Sequence, residues 1–329
     1  MAKLICGPMA TLSHQAFRMI VESFGGCDEY FTEMINAPSL LNMGPYEKYY
    51  LLDGPNPEKI VWQLTGNDCE RMAKAACLLA EKNGLGIDLN MGCSAPQIYK
   101  TGAGIAWMMK PLEETGRLVS LTKEFLLQAE KNTGRHIRLS VKCRLGNEDF
   151  SEKSFFDFAE TLVKNGVELI TLHPRTIKER ERFLPRWEWG QKLYEHFGGK
   201  ICVYINGCIK DDKTRDLALK AFPDAGGIMI SREAAQKPWI FAQLSKKNKD
   251  NITIDAQKLA LDFIDYVEKY QPKEFYKTRL QRFFSYYCKN FSFAHYFTNQ
   301  MINSSNIEES RERVKEYFLK QEKDRIVNI

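Results

Sequence analysis

The sequence predicts a (β/α)8 TIM barrel over residues 1–245, followed by a small all-α domain over residues 246–329. Three observations predict it. Short apolar runs recur, with helical stretches between them, and such alternation builds parallel strands with crossover helices. Eight repeats suit a closed barrel better than an open sheet. Each run tends to end on a polar or special residue, and a barrel gathers those ends at one mouth. Strand signals fade after Phe241.

In chain order the expected strands are 4–8, 30–32, 60–64, 86–90, 139–144, 169–173, 201–206 and 227–230. Between them, residues 70–82 and 154–165 read as helices. In the second, Phe155, Phe158, Ala159, Leu162 and Val163 share one face at helical spacing. The runs close on Met9, Glu33, Gln63, Asn90, Lys142 with Arg144, His173, Asn206, and Ser231 with Arg232. Residues 246–251 are polar and read as a linker. From Asp255, residues Leu259, Phe263, Val267 and Tyr270 keep helical spacing until Pro272 stops it. Residues 273–302 and 308–323 also read as helical. The barrel is expected to complete its own core without this tail.

Apolar residues make up 44% and charged residues 27%, a globular balance with ample core material. No apolar run reaches the roughly 20 residues that span a bilayer. The N-terminus enters a strand at once and carries no signal-like segment, so a cytoplasmic address is expected. None of the nine cysteines forms a C-x-x-C pair, so neither a disulfide framework nor a metal site is expected. The net charge is +5, and residues 246–329 hold 16 basic and 12 acidic residues, 16 − 12 = +4. The tail therefore suits a polyanionic partner. Its Lys273, Lys277, Arg279, Arg282 and Lys289 interleave with Phe275, Tyr276, Phe283, Phe284, Tyr286 and Tyr287. Cations with aromatics fit folded RNA, although most of these rings are expected in the core. The Arg175–Arg186 loop, with its Lys178, Arg180 and Arg182, is the alternative grip.

The richest chemistry lies in Asp88-Leu89-Asn90-Met91-Gly92-Cys93-Ser94-Ala95-Pro96, continuing to Lys100-Thr101-Gly102-Ala103-Gly104. A strand ends at Asn90, and a glycine-containing loop presents a thiol at the barrel mouth. Such a thiol acts as a nucleophile if a base or cation makes it thiolate, or as a proton donor if it stays protonated.

This string resembles the signature of the tRNA-dihydrouridine synthase family. The resemblance extends through Gly7-Pro8-Met9-Ala10, Phe17-Arg18, Thr32-Glu33-Met34 and Gln63-Leu64-Thr65-Gly66-Asn67-Asp68. It continues with Val141-Lys142-Cys143-Arg144-Leu145-Gly146, His173-Pro174-Arg175-Thr176, Ile205-Asn206-Gly207, Met229-Ile230-Ser231-Arg232 and Lys237-Pro238-Trp239-Ile240-Phe241. The tail around Arg282–Lys289 is similar, more loosely, to the family's helical RNA-binding domain.

The resemblance implies FMN as cofactor, NADPH or NADH as reductant, tRNA as substrate, and no metal or membrane. A monomer is expected. Cys93 matches the family's catalytic cysteine, which protonates C5 of uracil as hydride reaches C6. Lys142 matches the lysine beside the flavin pyrimidine ring, where a fixed cation steadies negative charge. Gln63 matches the glutamine at the ring edge, and Pro8, Met9 and Ala10 match the loop that packs on the ring. Asn206, Gly207, Ser231 and Arg232 match the phosphate end, with His173 in the same ring of residues. Cys208 stands where the family has an acidic residue, and Ser231 where it has glycine. Asn90 matches the reader of the uracil edge, and Arg144 is a candidate for substrate or phosphate. The rival readings are an FMN barrel acting on a free pyrimidine or another small substrate, an inactive RNA-binding relative, and an unrelated phosphate-binding barrel.

Overall fold

The structure is a computed structural model that describes residues 2–147, 150–179, 183–245 and 252–329. The expected linker, 246–251, and two cations of the alternative grip, Arg180 and Arg182, lie outside the described residues.

Eight parallel strands close on themselves. They are β1 (Lys3–Cys6), β2 (Glu29–Phe31), β3 (Ile60–Thr65), β4 (Gly86–Met91), β5 (Arg138–Arg144), β6 (Leu169–His173), β7 (Cys202–Asn206) and β8 (Gly227–Ile230). Pairing runs around the ring in chain order, and β8 returns to β1. A two-residue strand, Ile35–Asn36, lies beside the end of β3. Every residue of β3 and β4 is buried, which is why both read as continuous runs and not as alternating ones. Inward positions still alternate: Ile5, Phe31, Val61, Leu169, Tyr204 and Met229 fill the barrel. The residues between them, such as Trp62, Leu64 and Ile170, pack under the helices.

The crossover helices include α1 (Gln15–Glu22), α2 (Cys69–Ala80), α3 (Leu112–Thr133), α4 (Glu152–Lys164), α5 (Glu188–His196) and α6 (Asp212–Ala221), and the short α7 (Arg232–Gln236) follows β8. Local chemistry starts them: Asp68 accepts from the Arg71 N–H at 2.8 Å, and Asp211 with Thr214 forms a capping box. The first strand was expected to reach Pro8. It stops at Cys6, because Gly7-Pro8 begins a turn and proline has no N–H for the ladder.

The tail contains α8 (Ala256–Tyr270), α9 (Lys273–Tyr287), α10 (Ala294–Ile302) and α11 (Ile307–Lys320). The tail is helical as expected, with one addition: β9 (Thr253–Asp255) pairs antiparallel with β10 (Ile326–Asn328) and ties its two ends together. Strands of three residues are too short to carry a readable alternation. One expectation needs correction: the barrel does not complete its core alone. Phe283 of α9 stacks on Phe263 of α8 at 3.8 Å and meets Phe17 of α1 at 6.5 Å, so one apolar core runs through both parts. No described helix is long and apolar enough to cross a membrane.

Candidate active site

The C-terminal strand ends surround a cavity of about 750 Å³. Its walls include Arg144, His173, Asn206, Gly207, Cys208, Ser231 and Arg232, residues spread over 89 positions of sequence from 144 to 232. The parallel register brings them together. Ser94 also lines the cavity, so the loop that carries Cys93 forms one wall.

That loop is held from three sides. The Cys93 backbone N–H donates to Asn90 Oδ1 at 3.0 Å. The Ile105 N–H donates to the Cys93 carbonyl at 3.0 Å. Arg144 Nε donates to the Gly92 carbonyl at 2.9 Å. Gly104 has φ +61, and a Cβ there would sit 2.5 Å from the Cys93 carbonyl oxygen. The final glycine of the Gly102-Ala103-Gly104 turn is therefore what lets the chain close over the thiol loop. Cys93 itself is half-buried.

Below the mouth lies a chain of buried polar groups. Asp88 Oδ1 accepts from Ser140 Oγ at 2.7 Å, and Asp88 Oδ2 accepts from Gln63 Nε2 at 2.8 Å. Gln63 Oε1 in turn accepts from Asn90 Nδ2 at 2.9 Å. An ionised carboxylate only accepts, so Asp88 sets which way both amides face. The Asn90 oxygen is thereby turned toward the Cys93 and Gly92 N–H groups. Sequence reading gave Asn90 to the substrate and Gln63 to a cofactor. Here Asn90 also braces the thiol loop, and the Gln63 amide is fully buried between its two partners. Asp88 was quoted in the motif without a role; the inward period of β4 was the signal that pairs it with Asn90.

Electrostatics divide the mouth. Burial raises the Asp88 carboxyl pKa to about 6, against the pull of Gln63, Ser140 and Lys142. Burial, followed by the charge of Arg144, lowers Lys142 to about 8. His173 is pushed well below its ordinary range by burial and by Arg144, Lys142, Arg175 and Arg232, so it is neutral. Its Nε2 is buried without a partner, as is the Thr171 hydroxyl two residues below. Cations around a neutral imidazole with an unmet ring nitrogen suit a bound anion with hydrogen-bonding oxygens. Gly207, at φ +117, lies against His173 and Pro185, where any side chain would crowd that ring. Cys208 has φ +56 and accepts from Arg175 Nη2 at 3.3 Å. Arg175, the first residue of the alternative RNA-grip loop, is 1% exposed and faces inward.

Pro8, Met9, Ala10, Gln63, Asn90, Cys93 and Lys142 are not among the residues that line this cavity. Lys142 stands across from Asn90 in the strand register, and so belongs to the polar chain beneath the thiol loop. The tail cations separate too. Lys273, Lys277 and Lys289 are exposed, and Arg282 and Lys289 lie about Tyr286, 5.2 and 5.1 Å from its ring centre. Arg279 is 1% exposed and ion-paired to Glu33 at 2.6 Å. Its expected place among the RNA-facing cations is therefore corrected: it faces the core side of α9, four residues from Phe283.

A family model described as dihydrouridine synthase matches residues 4–328. The probable tRNA-dihydrouridine synthase 2 of Bacillus subtilis (strain 168) is 28% identical over 312 residues, 93% of this chain and 91% of its own length. The probable tRNA-dihydrouridine synthase of Staphylococcus aureus (strain COL) is 27% identical over 326 residues, 97% and 94% of the two chains. Among solved structures, KGPDC from Streptococcus mutans superposes with a TM-score of 0.46 at 14% identity, over 82% of this chain and 98% of its own.

Proposed function

Because the chain belongs to the dihydrouridine synthase family, we propose that it reduces the C5–C6 double bond of a uridine in tRNA, with FMN as cofactor and Cys93 as general acid. The observation that carries this reading is the Cys93 loop, braced by Asn90 and Arg144 beside a cavity rich in cations. Both named relatives are probable tRNA-dihydrouridine synthases and align over nearly the whole chain.

Bound FMN, reduced by NADPH or NADH, would supply the hydride for C6 of the uracil. Arg144, Asn206, Gly207, Ser231 and Arg232 would hold its phosphate, with the Cys208 backbone and neutral His173 completing the anion site. Pro8, Met9, Ala10, Gln63 and Lys142 would serve the ring end. With a pKa of about 8, Lys142 remains largely protonated at neutral pH and offsets negative charge there. Cys93 gives its proton to C5, and the resulting thiolate is reprotonated from solvent. Asn90 and Arg144 keep the sulfur in reach by fixing the backbone on either side of Gly92. Residues 1–245 carry the chemistry, and residues 246–329 hold the body of the tRNA through Lys273, Lys277, Arg282 and Lys289. The enzyme works as a monomer in the cytoplasm.

Purified protein, unmodified tRNA and NADPH or NADH should yield dihydrouridine at a defined position in nucleoside mass spectrometry. Acid release should yield FMN; a colourless protein that cannot be reconstituted with FMN removes the cofactor from the reading. Lys277→Glu with Arg282→Glu should raise the KM for tRNA about tenfold and make its salt dependence shallower, since two phosphate contacts are lost. Reduction of free uridine with equal kcat/KM would replace tRNA by a small substrate.

A further inference from the structure

We propose that Arg279 of α9 is a positioning residue for the loop at the end of β1, acting through Glu33. This rests on the reading of Pro8, Met9 and Ala10 as part of the cofactor site. Glu33 follows β2 and is 4% exposed. One of its oxygens, Oε1, accepts two hydrogen bonds: from Arg279 Nη1 at 2.6 Å and from the Thr11 backbone N–H at 2.5 Å. Thr11 has φ +62, an unfavourable conformation for a β-branched residue. Its N–H is therefore held by a side chain that the tail itself orients.

Further hydrogen bonds to this loop come from the barrel. Ser13 Oγ accepts from the Met9 N–H at 2.7 Å and donates to the Gly7 carbonyl at 3.0 Å. Arg18 donates to the Ser13 carbonyl at 2.8 Å. The Glu33 contact passes on to the tail by a hydrogen bond that spans 246 positions of sequence.

Packing alone does not call for a charge at position 279. Phe283, one turn away on the same face, meets the barrel through Phe17 with hydrocarbon alone. Burying a guanidinium and a carboxylate carries a desolvation penalty that an apolar pair avoids. What the charged pair adds is direction. Gln271 Oε1 accepts from Arg279 Nε at 3.2 Å, and the Phe275 and Tyr50 rings lie 4.9 and 5.6 Å from the guanidinium. Arg279 is thus held on several sides and presents one N–H to Glu33. Nearby His14 is buried with neither ring nitrogen partnered, and burial together with Arg279 and Arg18 keeps it neutral. It does not compete for the carboxylate.

The outer face of α9 carries the cations assigned above to tRNA, and its inner face carries Arg279.

The test compares wild type, Arg279→Met, Glu33→Gln and the double variant, without and with FMN. Amide hydrogen exchange in residues 9–13 of the FMN-free protein should speed up about tenfold in each single variant, the scale of one hydrogen bond to a charged group. The FMN dissociation constant should rise by a similar factor, and the double variant should be no worse than the weaker single one. Arg279→Lys should recover part of both losses. Unchanged exchange in residues 9–13, with α8 and α9 loosened instead, would make Arg279 a packing residue and overturn the proposal. Should Arg279→Met fail to fold, Glu33→Gln carries the same test with the side-chain shape kept. A wild type that takes up no FMN sinks the cofactor reading alone, because the exchange measurement needs no cofactor.

Discussion

Glu29 and Asp88 both lie inside the barrel with no exposure to solvent, yet their carboxyl groups shift in opposite directions. Glu29 starts β2 at the N-terminal end. Burial pushes its pKa up, but Arg138, Lys3 and Tyr204 outweigh burial and hold it below the usual carboxylate range. Arg138 reaches both oxygens, at 3.0 and 2.6 Å, and Tyr204 donates at 2.7 Å. Asp88 sits higher, on β4, with the neutral donors Ser140 and Gln63 as its direct partners. There burial wins, and the carboxyl moves to about 6. The difference lies in the partners and not in the depth. One end of the barrel is saturated with paired charge and serves stability. The other leaves a carboxylate, a lysine and a thiol loop close together with their charges incompletely matched, as an active-site mouth does.

The largest effect expected from breaking this contrast is at the mouth. Cys93→Ala should lower uracil reduction about 10²–10⁴-fold, the usual share of general acid catalysis. Its denaturation midpoint and FMN uptake should match wild type, and a variant with full activity would move the acid to another group. At the opposite end, Glu29→Gln should lower stability by about 3–5 kcal/mol, because Arg138 is left buried beside a neutral amide. Denaturant titration reads that loss, and the activity of the molecules that remain folded should be unchanged. A loss of activity without a loss of stability would erase the distinction between the two ends.

The smallest effect concerns pH and sharpens the contrast most. The Asp88 pKa is raised in the folded protein, so its contribution to stability is complete below its ordinary value and is lost as pH rises through about 6. The Glu29 pKa is lowered, so its contribution is present above the ordinary carboxylate range and is lost as pH falls through its folded value. The stability of Asp88→Asn relative to wild type should therefore rise between about pH 4 and 6 and then level off. A flat difference over that interval would mean that Asp88 is not titrating there.

Much of this was legible in the chain itself. The eight barrel strands fall within two residues of where apolar runs placed them, because side-chain alternation and strand-ending residues are local properties. The Asp88–Gly104 motif placed the thiol at the mouth for the same reason. The gathering of Arg144, His173, Asn206, Ser231 and Arg232 around one cavity also followed, since parallel register turns eight sequence-distant strand ends into one circle. Asn90 shows where that kind of reading stops. Its position was clear, but its amide could face substrate or backbone, and Gln63 and Asp88 decided which.

The sequence by itself determined the alternation of strands and helices, the inward-facing polar residues at the strand ends, and the glycines at the turns. Each of these rests on interactions within a few residues or on a repeated period. The tertiary structure alone decided the orientation of single side chains whose partners come from elsewhere. Arg279 stands in sequence between Lys277 and Arg282 and has the same charge, yet it faces inward because Glu33 waits there, 246 positions earlier in the chain. The sheet of β9 and β10 joins segments 73 residues apart through ladder bonds that three-residue strands do not announce. A periodic pattern tells which face of a helix is buried, but only the packed fold supplies the opposite charge that makes burying an arginine tolerable.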